Sequence, residues 1–336
     1  MKFRLLLVFA LIVSVARAER LEFSWPVPSP TLPSVHSEDD FLQATAAGDP
    51  PSGGFGCVRT HGFQYHEGLD IKPYKRNARG EPADEVHAAI AGIVRHISRY
   101  AGESNYGRYI VLEHPDAVPE IYTLYAHLAR IAPGLHEGEH VARGQIIGLM
   151  GHSAGGYYIP LSRAHLHFEM GLRISDNFQS WYDWKRFGGR NEHGNFNGMN
   201  LMGFDPWAFV QALEHHQVDQ PYQFLEHQPI AVRFRIATTR RPFFVRQYPS
   251  LVERKPGYEL LGGWEVWCTF TGLPVHWIPL STAQVVGMRP DQVVITGYDQ
   301  DLLRHHPCRI LVDHRRGQLV PGRDLADMIQ MVFGVR

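Results

Sequence analysis

Residues 164–169 read Ala164-His165-Leu166-His167-Phe168-Glu169. Polar and apolar residues alternate among β-prone neighbours, which predicts a strand over His165–Met170. On a strand, His165 and His167 point to one face, about 6.6 Å apart at a rise of about 3.3 Å per residue. Leu166 and Phe168 then pack on the other face. One imidazole on such a face can hold a metal while its neighbour acts on a substrate. The same texture recurs upstream. Ala88–Ile97, Tyr109–Glu113, Ile121–Leu128 and Gln145–Met150 are short β-prone runs separated by Gly-rich turns, and no helical period runs through residues 53–172. Many short strands with turns between them predict an antiparallel all-β sheet or sandwich.

Two of the neighbouring segments add chemistry. Tyr65-His66-Glu67-Gly68-Leu69-Asp70-Ile71 holds a His-x-x-x-Asp pair. Gly68 and the following Pro73 argue against a helix. On a straight strand the pair would lie about 13 Å apart, too far to share one metal. The motif therefore requires Gly68 to bend the chain. In Tyr122-Thr123-Leu124-Tyr125-Ala126-His127-Leu128, alternation places Tyr125 and His127 on one face and Leu124, Ala126 and Leu128 on the other. Two His and one Asp form a mixed N/O set that suits Zn2+ and leaves a fourth position for water. Zinc lowers the pKa of such a water from about 15.7 to about 7. Two further histidines can move protons and hold a developing oxyanion.

These segments resemble the lysostaphin-type (LytM-like) zinc metalloendopeptidases, which cut peptide bonds in bacterial peptidoglycan. The resemblance rests on Phe55-Gly56-Cys57-Val58-Arg59, His66-Glu67-Gly68-Leu69-Asp70, Tyr125-Ala126-His127-Leu128 and His165-Leu166-His167-Phe168-Glu169, with the Gly-rich run Glu137–Gly151 between them. It covers residues 53–172, with outer strands expected at 23–28 and about 204–210. It implies a mainly β fold, an antiparallel β-sheet or sandwich of the duplicated hybrid motif type, with loops walling a narrow groove. It also implies one Zn2+ per chain held by His66, Asp70 and His167, and a catalytic pair, His127 and His165. In that pair His165 is the general base and His127 stabilises the oxyanion, or the reverse. Residues 29–52 and 173–203 are long for the family. They either border the groove, where they would restrict substrate or cover the site until processed, or decorate the surface.

The remaining sequence sets the context. The chain has 336 residues, 44% hydrophobic and 20% charged, with a formal net charge of −1. That mass supports a sizeable core, and the charge offers no drive toward nucleic acid or anionic lipid. Lys2 and Arg4, the apolar run Leu5–Val15 and Ala16-Arg17-Ala18 read as a cleaved signal peptide over 1–18. Export to the periplasm or extracellular cell envelope follows, with no stable membrane span after cleavage. Residues 19–214 are expected to form the peptidase domain, with a helix at Pro206–Glu214. Residues 215–228 read as a polar linker. Residues 229–336 read as a β-rich accessory region ending in a helix near Leu325–Val332, for wall or partner binding. Cys268 and Cys308 can pair in an oxidising compartment, leaving Cys57 odd, or all three stay free. Glu137-x-x-His140 resembles half a zinc motif but falls in a strand-turn segment and is set aside. The expected activity is hydrolysis of stem peptides or cross-bridges. The alternatives are a non-enzymatic activator of the same fold or a zinc peptidase acting on proteins. The five intact positions favour the enzyme.

Overall fold

In a computed structural model, residues 19–27, 37, 40–45, 48–254 and 260–335 are described. The expected signal peptide, 1–18, and much of the 29–52 loop lie outside the described residues. Short strands follow one another as expected: β1 (Gly56–Arg59), β2 (Gln64–His66), β3 (Leu69–Ile71), β4 (Glu85–His87), β5 (Gly92–Ser98), β6 (Tyr109–His114), β7 (Ile121–Ala126), β8 (Arg130–Ile131), β9 (His140–Val141), β10 (Ile146–Leu149), β11 (Leu166–Arg173) and β12 (Leu201–Phe204). The main sheet runs β12-β11-β7-β6-β5-β9, and β3 adds alongside β11. Its pairings are antiparallel, so the architecture is mainly β and antiparallel.

Both faces of the central strands are buried, for different reasons. Leu166, Phe168, Met170 and Leu172 of β11 enter the main core together with Tyr125 and Leu128. On the opposite face, Tyr109, Val111, Tyr122, Leu124 and Ala126 form a second apolar cluster capped by Leu201, Tyr106 and Phe196. Part of that cap comes from the 173–203 insertion. An insertion that covers an otherwise solvated sheet face explains why β6 and β7 are buried along their whole length.

Gly68 bends the chain between β2 and β3, as the His/Asp spacing requires. A Cβ at Gly68 would lie 2.2 Å from the Phe168 carbonyl oxygen. No side chain fits there, so the glycine also lets β3 dock against β11.

Five expectations need correction. The outer strand expected at about 204–210 ends at Phe204, and Pro206 opens a helix instead. The expected first strand at residues 23–28 is not a strand in its described part. Ser24 N–H donates to Ala89 and His87 N–H to Pro26, isolated bonds without a ladder, while Trp25 packs against Phe41 and Trp207. β7 ends at Ala126, and His127 adopts a left-handed backbone with φ 59°. That turn breaks the strand parity. Tyr125 and Leu128 face the main core while Leu124 and Ala126 face the second cluster, so Tyr125 and His127 do not share a strand face. Residues 215–228 are not a plain linker. After α1 (Phe178–Lys185) and α2 (Pro206–Glu214), the helix α3 (Pro221–Glu226) buries Phe224 and Leu225. Cys308 pairs with Cys57, while Cys268 is free and buried.

The C-terminal part contains an antiparallel sheet of β13 (Val232–Ile236), β14 (Leu261–Cys268), β15 (Pro274–Ser281) and β16 (Val293–Tyr298), ordered β15-β14-β13-β16. The short helices α4 (Phe243–Gln247) and α5 (Gln300–His305) accompany it, and α6 (Arg323–Phe333) closes the chain. One continuous apolar cluster runs from Leu21 through β11 to Phe333. Residues 229–336 thus share a core with the residues before them. Among the described residues, no helix is long and apolar enough to cross a membrane.

Candidate metal and catalytic site

The Gly68 bend brings the first two candidate ligands together, and the β3–β11 pairing brings in the third. Asp70 and His167 are register partners across these strands. The His66 Nε2 to Asp70 Oδ1 distance is 3.1 Å. His167 Nδ1 lies 3.0 Å from both Asp70 Oδ1 and His66 Nε2. All three residues are buried.

Their outer hydrogen bonds assign the ring tautomers. His66 Nδ1 faces the Gly54 carbonyl at 2.6 Å, and a carbonyl only accepts, so Nδ1 carries the proton and Nε2 a lone pair. His167 Nε2 donates to Glu169 Oε1 at 2.9 Å, which leaves its lone pair on Nδ1. Two imidazole lone pairs and a carboxylate oxygen therefore converge on one point. Such a cluster is repulsive unless a cation sits within it. Ligands about 2.0–2.1 Å from a tetrahedral zinc lie roughly 3.3 Å apart, close to these spacings. The donor set thus fits the ion.

Burial and charge act against each other here. Burial pushes the Asp70 carboxyl up, but His165, His66 and Arg59 outweigh it and hold it well below the usual range. Burial likewise disfavours charge on His167, yet the carboxylates of Asp70 and Glu169 raise it to about 9. Burial dominates at His66 and lowers it.

Glu169 is the outer anchor. It is fully buried, and its Oε1 also accepts from the Tyr106 hydroxyl at 2.6 Å, while Oε2 accepts from Tyr122 at 2.8 Å. Three donors on one buried carboxylate fix its position and, through it, the His167 ring. Glu169→Gln is expected to raise the zinc dissociation constant about 10–100-fold, measured by competition with a chelating dye. An unchanged constant would assign Glu169 to packing alone.

His127 and His165 face the same cavity as Asp70 and His167. His165 Nδ1 donates to the Arg163 carbonyl at 2.7 Å, and His127 Nδ1 to the Ser153 carbonyl at 2.8 Å. Each ring thus keeps its Nε2 free. His165 Nε2 lies 3.4 Å from Asp70 Oδ1, and the two rings are 4.8 Å apart. Burial lowers the pKa of both rings, more strongly for His127. The left-handed backbone at His127 is uncommon for a residue with a Cβ. Its amide is held by the Tyr106 carbonyl at 2.9 Å.

The expected groove is present, and both long segments border it. A cavity of about 1330 Å³ is lined by Asp70, His127, His165 and His167, by Gln43 and Thr45 of the N-terminal loop, and by Tyr182 and Met199 of the insertion. The set-aside residues stay outside the cluster: Glu137 contacts His96, and His140 is an exposed strand residue. Sequence patterning singled out neither Tyr106 nor Tyr122, since a buried tyrosine in a β-run reads as core. Arg59 stood out only as part of a motif; its guanidinium engages Asp70 Oδ2 at 2.5 Å.

Comparison with known proteins gives the following. Residues 64–178 match Peptidase family M23. No curated protein matches the chain. Among solved structures, a zinc-containing peptidase from Vibrio cholerae shows 28% identity over 45% of this chain and 37% of that one, with a TM-score of 0.29. The chain thus spans little more than a third of that protein. The catalytic domain of the prophage-encoded M23 protein EnpA from Enterococcus faecalis shows 20% identity over 40% and 84%, TM-score 0.28. The catalytic domain of the antimicrobial peptidase lysostaphin from Staphylococcus simulans shows 19% identity over 53% and 99%, TM-score 0.31.

Proposed function

We propose that this chain, whose residues 64–178 belong to peptidase family M23, is an exported zinc-dependent endopeptidase that hydrolyses peptide bonds in bacterial peptidoglycan. The observation carrying this reading is the convergence of three acceptors, His66 Nε2, Asp70 Oδ1 and His167 Nδ1, at 3.0–3.1 Å from one another. Bound there, Zn2+ supplies Lewis acidity that polarises a carbonyl and acidifies a water.

The side chains do the rest. Gly54, Glu169 and Arg59 hold the three ligands in orientation through their outer hydrogen bonds. His165 Nε2, next to Asp70, accepts the proton of the attacking water and returns it to the leaving amine nitrogen. His127, when its Nε2 carries a proton, donates to the developing oxyanion. Both rings are anchored alike through Nδ1, so these two roles are interchangeable on geometry. Export is supported by the Lys2–Ala18 pattern and by the Cys57–Cys308 disulfide, which suits an oxidising compartment.

The test uses the full mature chain. Zinc is expected at about one per chain, the count set by the one three-ligand cluster among the described residues. Purified sacculi should release new amino and carboxyl ends, and a chelator should stop the release. Zinc near zero with no new ends would overturn the reading. Cleavage of casein but not sacculi would replace the substrate by protein.

A further inference from the structure

The cavity wall changes character away from the converging ligands. That wall comes from segments outside the family match: insertion residues Trp181, Tyr182, Phe187 and Met199, and Met328 and Met331 of α6. The C-terminal region is fastened to the site twice. The Cys57–Cys308 disulfide ties it to β1, the strand that carries Arg59. Arg309, next in sequence, lies 4.1 Å over the ring of Tyr65, the neighbour of His66.

Several charges near this wall pair with one another. Lys185 reaches Asp327 at 2.6 Å. Asp324 accepts from Arg309 at 3.3 Å and from the Ile310 amide at 2.7 Å. Arg190 has Glu192 beside it at 3.5 Å. Within this mixed lining, the exposed side chains Phe187 and Met199 give a ligand an apolar stretch. Phe187 is 43% and Met199 49% exposed, both inside the concavity. Phe187 packs on Trp181 at 5.5 Å, and the Trp181 indole N–H donates to Gln330 of α6 at 3.3 Å. Gly198 lies so close to Tyr106 that an added Cβ would meet its ring at 2.5 Å. Tyr106 in turn packs on His167 at 5.4 Å. The apolar wall and the ligand cluster are thus linked through packed residues as well as through one cavity.

We infer that this wall is a specificity subsite. It takes an uncharged, apolar side chain of the peptide substrate, at a position flanking the bond cut at the histidine cluster. The inference rests on the proposed peptidase activity and gives residues 229–336 a place in the substrate cleft. The ligand cluster and the subsite share one concavity, so the occupant is the same peptide. A charged side chain would lose hydration against these apolar groups.

The test presents the zinc-loaded full chain with a degenerate peptide library, products being read by mass spectrometry. One flanking position is expected to favour Leu, Met or Phe over Lys and Glu by at least about tenfold in kcat/KM. The double variant Phe187→Ala/Met199→Ala, checked for cooperative melting and zinc content, should reduce that preference to below about threefold. The loss should fall mainly on the apolar peptides. Cleavage without any apolar preference, or a preference that survives in a folded double variant, would overturn the subsite alone. Cleavage of sacculi with no cleavage in the library would also overturn the subsite alone, and no cleavage of either by zinc-loaded protein would overturn the peptidase reading, and the subsite with it.

Discussion

Asp70→Ala is expected to leave the chain without stoichiometric zinc and without measurable hydrolysis. Asp70 contributes the only anionic atom of the converging set, and its Oδ1 is 3.0–3.1 Å from both imidazole acceptors. Its Oδ2 holds the Arg59 guanidinium. Removing the carboxylate deletes one ligand and leaves a cation unpaired against the same buried pocket. Breaking a buried charge pair by losing one partner costs about 3–5 kcal/mol, or roughly 10²–10⁴ in an equilibrium constant. The ligand loss adds to that, and the two effects act in one direction. Zinc per chain by elemental analysis and the chelator-competition constant provide the check. A variant that keeps wild-type zinc affinity would remove Asp70 from the ligand set. A collapse of the melting transition alone would mean that Asp70 chiefly holds Arg59.

The second large effect separates chemistry from metal binding. His165→Ala and His127→Ala should each keep close to one zinc per chain while kcat falls by about 10²–10⁴. Neither ring belongs to the converging triad. Each is anchored through Nδ1 to a backbone carbonyl and turns its free Nε2 toward the cavity. Cutting a proton-transfer group lowers kcat and kcat/KM together and leaves KM nearly unchanged. Loss of zinc in either variant would place that histidine among the ligands. A rise in KM alone would make it a binding residue.

Much of the local arrangement was legible because it depends on short-range covalent geometry. A strand repeats every two residues, so His165 and His167 had to share a face once the segment was a strand. His66 and Asp70 could approach only if Gly68 bent the chain, and the steric room there admits only glycine. The helices near Pro206–Glu214 and Leu325–Val332 were readable from period and capping in the same way.

His127 marks where that logic stops. Alternation counted it as a strand residue, but a single left-handed backbone step after Ala126 reverses parity. Such a step is stabilised by contacts from distant chain, here the Tyr106 carbonyl and the Ser153 backbone. The cysteines are a second case. Cys57 and Cys308 are 251 residues apart in sequence, and no local pattern encodes which thiols meet. The outer shell is a third. Glu169 could be read as strand chemistry, but its tyrosine partners are chosen by which strands stack in the sheet.

The sequence by itself determined the strand texture, the bend at Gly68 and the residue types able to hold a metal, because these follow from backbone period and side-chain chemistry within a few residues. Only the tertiary structure decided that β3 lies on β11 so that three acceptors meet, that His127 turns into the same cavity, and that the C-terminal region walls the cleft. Those outcomes depend on packing between segments from about twenty to about 250 residues apart, where the free energy lies in shared burial rather than in any local preference.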